Sequence, residues 1–153
     1  MAETDLGFEY LWGLVGLDAL YRMEEKGERL PRLVELLPDA IPPERAARFL
    51  EDITVCYLMG LDTQCIVTCR AAVEVLVEEL GAELAGTSLG KAILRLREEK
   101  KISTDQEHDM LEINRQAREL IHDEVGANAP SADDCVLRVS RLLAGLKPAN
   151  WVV

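Results

Sequence analysis

The sequence predicts an all-α protein built as an up-and-down helical bundle, and three observations carry that expectation. Apolar residues recur at spacings of three and four along nearly the whole chain, the period of one helix face and not the alternation of a half-buried strand. The interruptions are glycines, prolines and Ser/Asp capping signals, with no tight hairpin turn among them. A chain of 153 residues that is 48% hydrophobic can bury one sizeable core without disulfides or metal.

Taken in order, a first helix is expected from about Phe8 to Lys26. Phe8, Leu11, Trp12, Val15 and Ala19 share one face there, and Gly27 is its stop. "LPRLVELLPDAIPP" reads as a prolyl connection with room for one short helix. Pro42 and Pro43 suit the first turn of a helix reaching Met59 and stopped by Gly60. Asp62 is placed to cap the next helix, the most apolar of the chain, which runs to Leu80, ends at Gly81 and is expected at the centre of the core. A shorter helix follows Ser88 through "KAILRLREEKK". Ser103 opens a longer one, with Gln106 as its reciprocal capping-box partner, and this helix is expected to pass His122 toward Val125. Within the loop "GANAPSADD", Ser131 and Asp134 repeat the capping pattern before a last helix ending near Gly145 and Pro148. The expected division is an N-terminal helical extension over 1–35 and a helical bundle over 36–147.

A net charge of -11 and a pI near 4.6 exclude an overall field that gathers nucleic acid, so DNA is not an expected partner and any contact with phosphates must come from a local patch. The four cysteines form no CxxC pair, and His108 and His122 do not stand at zinc-finger spacing from them. They are expected as buried free thiols, with no metal and no cofactor. Free thiols and the lack of a secretory leader fit a cytoplasmic protein. The uncharged apolar runs "YLWGLVGL" and "ITVCYLMGL" stop at Asp18 and Asp62, short of the roughly 20 residues of a membrane span, so no membrane is expected.

The chemistry-bearing stretch is "INRQARELIHDE", Ile113 to Glu124. At roughly 100° per residue, Met110, Ile113, Ala117, Leu120 and Ile121 gather on one side of a helix, while Arg115, Arg118 and His122 lie within about 60° of each other on the other. Two readings stand side by side. Arginines at this spacing form ordinary surface pairs with neighbours such as Glu119 or Asp123. Alternatively, a histidine that titrates near neutral pH and an arginine whose forked donors hold a phosphoryl oxygen suit RNA cleavage without metal. Arg70 and Glu74, four apart, read first as a helix-surface ion pair. Glu74 reaching His122 and orienting its imidazole is the alternative. Lys91, Arg95, Arg97, Lys100 and Lys101 make the densest basic region, either a face balanced by Glu98 and Glu99 or the place where RNA phosphates are met.

The order "CYLMGLDTQCIVTCRAAVEVL", "SLGKAILRLREEKKIS", "NRQARELIH" and "ADDCVLRVSRLLAGL" resembles a bacterial HEPN-like domain of unknown function that also occurs fused to restriction enzyme subunits. The resemblance covers about Leu36 to Leu146. It implies a helical bundle, often a homodimer formed through the helices that carry the motif. HEPN ribonucleases carry an arginine and, a turn or two later, a histidine. Arg115 and His122 match that pattern as the implied catalytic pair, with Gln116 in the polar position after the arginine. Arg118 stands too close to His122 to match and is accessory, and Arg70 and Glu74 match the family's "CRAALE"-like stretch as "CRAAVE". The chain departs from the pattern in having "RELIH" where many relatives carry a Gly-Asn pair, and in having no tyrosine two positions after His122. The resemblance implies either a metal-independent endoribonuclease, of the kind used in bacterial defence or toxin-antitoxin pairs, or a noncatalytic module that dimerises or docks on a protein partner.

Overall fold

The computed structural model describes residues 27–36, 44–122 and 129–146. Every regular element among them is a helix, so the chain is an all-α helical bundle. We name the helices α1 (27–36), α2 (Glu44–Leu58), α3 (Asp62–Glu79), α4 (Leu89–Glu98), α5 (Thr104–His122) and α6 (Ala132–Gly145). The helix expected over Phe8 to Lys26, the prolines at 42 and 43, the continuation beyond His122 and Pro148 all lie outside the described residues.

The most apolar helix is also the central one: α3 packs against α2, α4, α5 and α6. Its buried residues Cys65, Ile66, Cys69, Ala72, Val73, Leu76 and Val77 form a stripe broad enough to meet all four neighbours. The stripe of α4, Leu89, Ala92, Ile93 and Leu96, keeps the i, i+3, i+4, i+7 spacing of a helix with one buried face, and α4 lies against α3 and α5. Met110, Ile113 and Ala117 from α5, with Cys135, Val136, Val139, Leu142 and Leu143 from α6, complete the core.

The helix ends follow their local chemistry in most places. Ser88 caps α4 by accepting the Lys91 amide. Ser103 and Gln106 form the reciprocal pair: the Ser103 amide donates to Gln106 Oε1 at 2.8 Å and the Gln106 amide to Ser103 Oγ at 3.2 Å. Three helices close through the same pair of hydrogen bonds, in which the second and third residues past the last turn reach back to carbonyls of that turn. Gly60 and Gly81 supply the left-handed residue after α2 and α3, whereas Lys100 (φ 58°) supplies it after α4.

Four local expectations are corrected. Gly27 is helical and does not stop a helix: 27–36 is a helix that packs on the bundle with Leu33 buried. Asp62 does not cap α3; its carboxylate accepts Arg29 of α1 at 2.7 Å, and Leu61 occupies the cap with no side-chain bond. The helix from Ser88 ends at Glu98, which leaves Lys100 and Lys101 in the turn. Ser131 caps α6 through the Asp134 amide, but the return bond comes from Gln116 Oε1, which accepts the Ser131 amide at 2.7 Å, and not from Asp134.

Arg29 also donates to the Tyr57 carbonyl at 2.9 Å and lies 5.0 Å from the Tyr57 ring centre, while the Tyr57 hydroxyl donates to Asp133 at 2.5 Å. Burial and the Asp133 carboxylate push the Tyr57 phenol up to about 12, so it remains a donor at any physiological pH.

Candidate functional site

Two faces of α5 carry its polar residues, and tertiary packing gives them different surroundings. Asn114, Arg118, Ile121 and His122, at i, i+4, i+7 and i+8, line an open cavity of about 680 Å³ between α3, α4 and α5. Across it stand Arg70 and Glu74 of α3, with Thr87, Ser88, Leu89 and Gly90 at the start of α4.

Inside the cavity, Arg70 Nε donates to Asn114 Oδ1 at 3.1 Å and Arg70 Nη2 meets Glu74 Oε1 at 2.9 Å. Two of the fork's donors are thereby anchored. Arg118 and His122 are exposed, and among the described residues no hydrogen bond or ion pair reaches either side chain. Arg70 and Arg118 against Glu74 leave the lining positively charged on a chain that is strongly acidic overall. Such a local surplus attracts anions into a concave site more effectively than the same charges on a flat surface.

The second polar face of α5 holds Glu112, Arg115, Gln116 and Glu119, and it forms a seam with α6. Arg115 grips Glu112 with two donors, Nε at 2.9 Å and Nη2 at 2.5 Å, and reaches Glu119 with Nη1. The Arg115 hydrogen bonds hold the Glu112 carboxyl down at about 2, and the two carboxylates push the Arg115 guanidinium up. Gln116 is buried, with Nε2 donating to Asp134 at 2.6 Å and to Glu112 at 3.2 Å, and Oε1 accepting from Ser131 and the Cys135 thiol. Further along, buried Asp109 accepts Arg138 at 2.8 Å and Arg141 at 2.7 Å.

The residues singled out in sequence therefore separate. Arg118, Arg70, Glu74 and His122 meet at one cavity, while Arg115 and Gln116 do not line it and belong to the α5–α6 seam. Glu74 pairs with Arg70, and no hydrogen bond joins it to His122. Asn114 was not singled out, although the i, i+4, i+8 spacing of Asn114, Arg118 and His122 is visible in "NRQARELIH". Neither was the Asp109–Arg138–Arg141 cluster, whose parts lie about 30 residues apart in sequence.

The basic region is not one surface. Lys91 and Arg95 are exposed on α4, Lys100 is exposed in the turn, Arg97 donates to Thr104 Oγ1 at 2.7 Å and approaches Glu107, and Lys101 pairs with Glu99 at 2.9 Å. All four cysteines are free thiols, Cys65, Cys69 and Cys135 fully buried and Cys56 partly so. Burial pushes the Cys135 thiol up to about 12, and the hydrogen bond with Cys65 together with burial raises Cys69. Among the described residues no group of three His, Cys, Asp or Glu side chains is placed to hold a metal ion, and no helix is long and apolar enough to cross a membrane. No family model, no curated protein and no solved structure matches the chain.

Proposed function

We propose that the chain is a HEPN-type, metal-independent endoribonuclease whose working groove is the cavity between α3, α4 and α5. One observation carries the reading: His122 and Arg118, one turn apart on α5, line the same open cavity, and among the described residues neither side chain has a hydrogen-bond or ion-pair partner. An unengaged proton-transfer group beside an unengaged guanidinium is the minimum apparatus for phosphodiester transfer. The ribose 2′-oxygen bonds to phosphorus as its proton passes to a base, and the bond from phosphorus to the 5′-oxygen breaks as that oxygen takes a proton from an acid. The 2′,3′-cyclic phosphate remains. His122 performs one of these transfers, Arg118 stabilises the charge gathering on the phosphoryl oxygens, and a homodimer that sets two copies of His122 on one cleft supplies the second transfer.

This assignment moves the phosphate role from Arg115, the arginine implied by the HEPN resemblance, to Arg118. Arg115 is already committed to Glu112 and Glu119, and drawing it out would strand two carboxylates. The same commitment favours a second reading, a noncatalytic HEPN-like module that uses α5 to dimerise or to dock on a protein, with exposed Ile121 beside His122 as part of the contact.

The deciding assay is incubation of the full chain with varied single-stranded RNAs in EDTA. Cleavage to 2′,3′-cyclic phosphate ends that is lost in His122→Ala supports the nuclease. RNAs left intact by pure wild-type protein overturn it.

A further inference from the structure

We infer that the inner wall of this cavity is a binding subsite for a phosphoryl group of a nucleotide or RNA strand, formed by the Asn114 side-chain amide, the first backbone N–H groups of α4 and Arg70. Its identity as part of a nucleic-acid site rests on the reading above, but its capacity to bind a phosphoryl group does not require any cleavage.

The argument starts from Asn114. Its side chain is only 8% exposed, and its orientation is set by chemistry: Arg70 Nε can only donate, so the atom facing it is Oδ1 and the NH2 group points the other way. That NH2 group has no acceptor among the described residues and opens onto the cavity that Asn114 lines. It sits against the start of α4, 4.0 Å from the position a Cβ on Gly90 would occupy.

The start of α4 is itself short of acceptors. Ser88 Oγ takes the Lys91 amide and the Ser88 carbonyl takes the Ala92 amide, which leaves the Leu89 and Gly90 N–H groups without a partner among the described residues. Both residues line the cavity. Gly90 carries no side chain to shield its amide, and the positive end of the helix adds to the pull on an anion. Arg70 completes the set from α3: with Nε on Asn114 and Nη2 on Glu74, its guanidinium is held while Nη1 has no partner among the described residues. Donors from three helices thus line one cavity whose carboxylate, Glu74, is already held by Arg70, a pattern that a phosphoryl group with several acceptor oxygens satisfies and that a cationic ligand does not. The volume, about 680 Å³, has room for a nucleoside beside the phosphate.

The test is a titration of the full-length protein, followed by backbone and side-chain amide NMR, with inorganic phosphate and separately with adenosine 5′-monophosphate at constant ionic strength. Saturable shifts are expected at the Leu89 and Gly90 amides and the Asn114 side-chain amide, with the nucleotide binding more tightly than phosphate. Asn114→Asp is the decisive variant, because it keeps the oxygen that accepts Arg70 and replaces only the free donor by a negative oxygen. It should weaken nucleotide binding by about tenfold or more, as loss of a hydrogen bond to a charged group does, with the melting temperature retained. Unshifted Leu89 and Gly90 amides, or equal binding by Asn114→Asp, overturn the subsite. Equal affinity for phosphate and nucleotide overturns its assignment to nucleic acid. Binding retained by a protein that cleaves no RNA leaves the subsite standing and removes the nuclease reading alone.

Discussion

Arg70 on α3 donates its Nε to Oδ1 of Asn114 on α5 at 3.1 Å, and this one bond ties together two of the three helices that form the cavity walls. It orients both side chains at once. The guanidinium is held between Asn114 and Glu74, and the amide is turned so that its NH2 group faces the start of α4. The residues that look most reactive in sequence, Arg118 and His122, extend from the same helix face one and two turns further on.

The two arginines of α5 should therefore respond differently to truncation. His122→Ala is expected to lower RNA cleavage by about 10²- to 10⁴-fold, and Arg118→Ala by a comparable or smaller factor, each with an unchanged melting temperature, since both side chains are exposed and have no partner among the described residues. Arg115→Ala is expected to act on stability, by about 1 kcal/mol, because it leaves Glu112 and Glu119 without their cation at a half-buried seam. Thermal melts run beside the cleavage assay separate the effects. An Arg115→Ala protein that melts like wild type yet loses all cleavage would return the catalytic role to Arg115.

Glu112 makes the α5–α6 seam sensitive to acid. Its folded-state value, about 2, lies below the ordinary glutamate value, so its contribution is fully present above about pH 4.5 and is lost as pH falls from there toward 2. The group is partly open to solvent, so screening reduces the amount to about 1 kcal/mol. Urea midpoints measured between pH 6 and pH 3 should fall more steeply for wild type than for Glu112→Gln. Parallel slopes would mean that the Arg115 contact adds nothing in solution.

Lys100 is a stabilising mutation waiting to be made. It holds φ 58° after α4, where its amide donates to the Arg97 carbonyl and the Lys101 amide to the Leu96 carbonyl. A side chain in that region costs roughly 1 kcal/mol that glycine avoids. Lys100→Gly should accordingly raise unfolding stability by about 0.5–1 kcal/mol in a denaturant titration. A lower midpoint would show that the lysine side chain compensates for its backbone.

The thiols should react in two classes. Cys56, partly exposed, is expected to modify first, while Cys65, Cys69 and Cys135 wait for unfolding, Cys135 doubly protected by burial and by a value near 12. Counting fast and slow thiols with a chromogenic disulfide reagent at pH 8, with and without denaturant, checks this. Three or more fast thiols in native protein would contradict the burial.

What the residue order alone decided is the set of helices and most of their ends. Helix formation depends on the spacing of apolar side chains and on partners within a few residues, so the stripe of α3, the Ser103–Gln106 box and the glycine stops at Gly60 and Gly81 can all be read from neighbours in the chain. Even the hold of Glu119 on Arg115 follows from their separation of four. Tertiary structure alone decided which side of α5 lines the open cavity. Arg115 and Arg118 differ by only about 60° around the helix, less than a long flexible side chain can swing, so helical geometry cannot assign them to different surroundings. Packing of α6 against one side and of α3 and α4 against the other made that assignment, pulling Arg115 into a carboxylate seam and leaving Arg118 and His122 facing an open cavity. The same long-range contacts brought Arg70 to Asn114 across 44 residues and Asp109 to Arg141 across 32, separations at which nothing in local sequence names the partner.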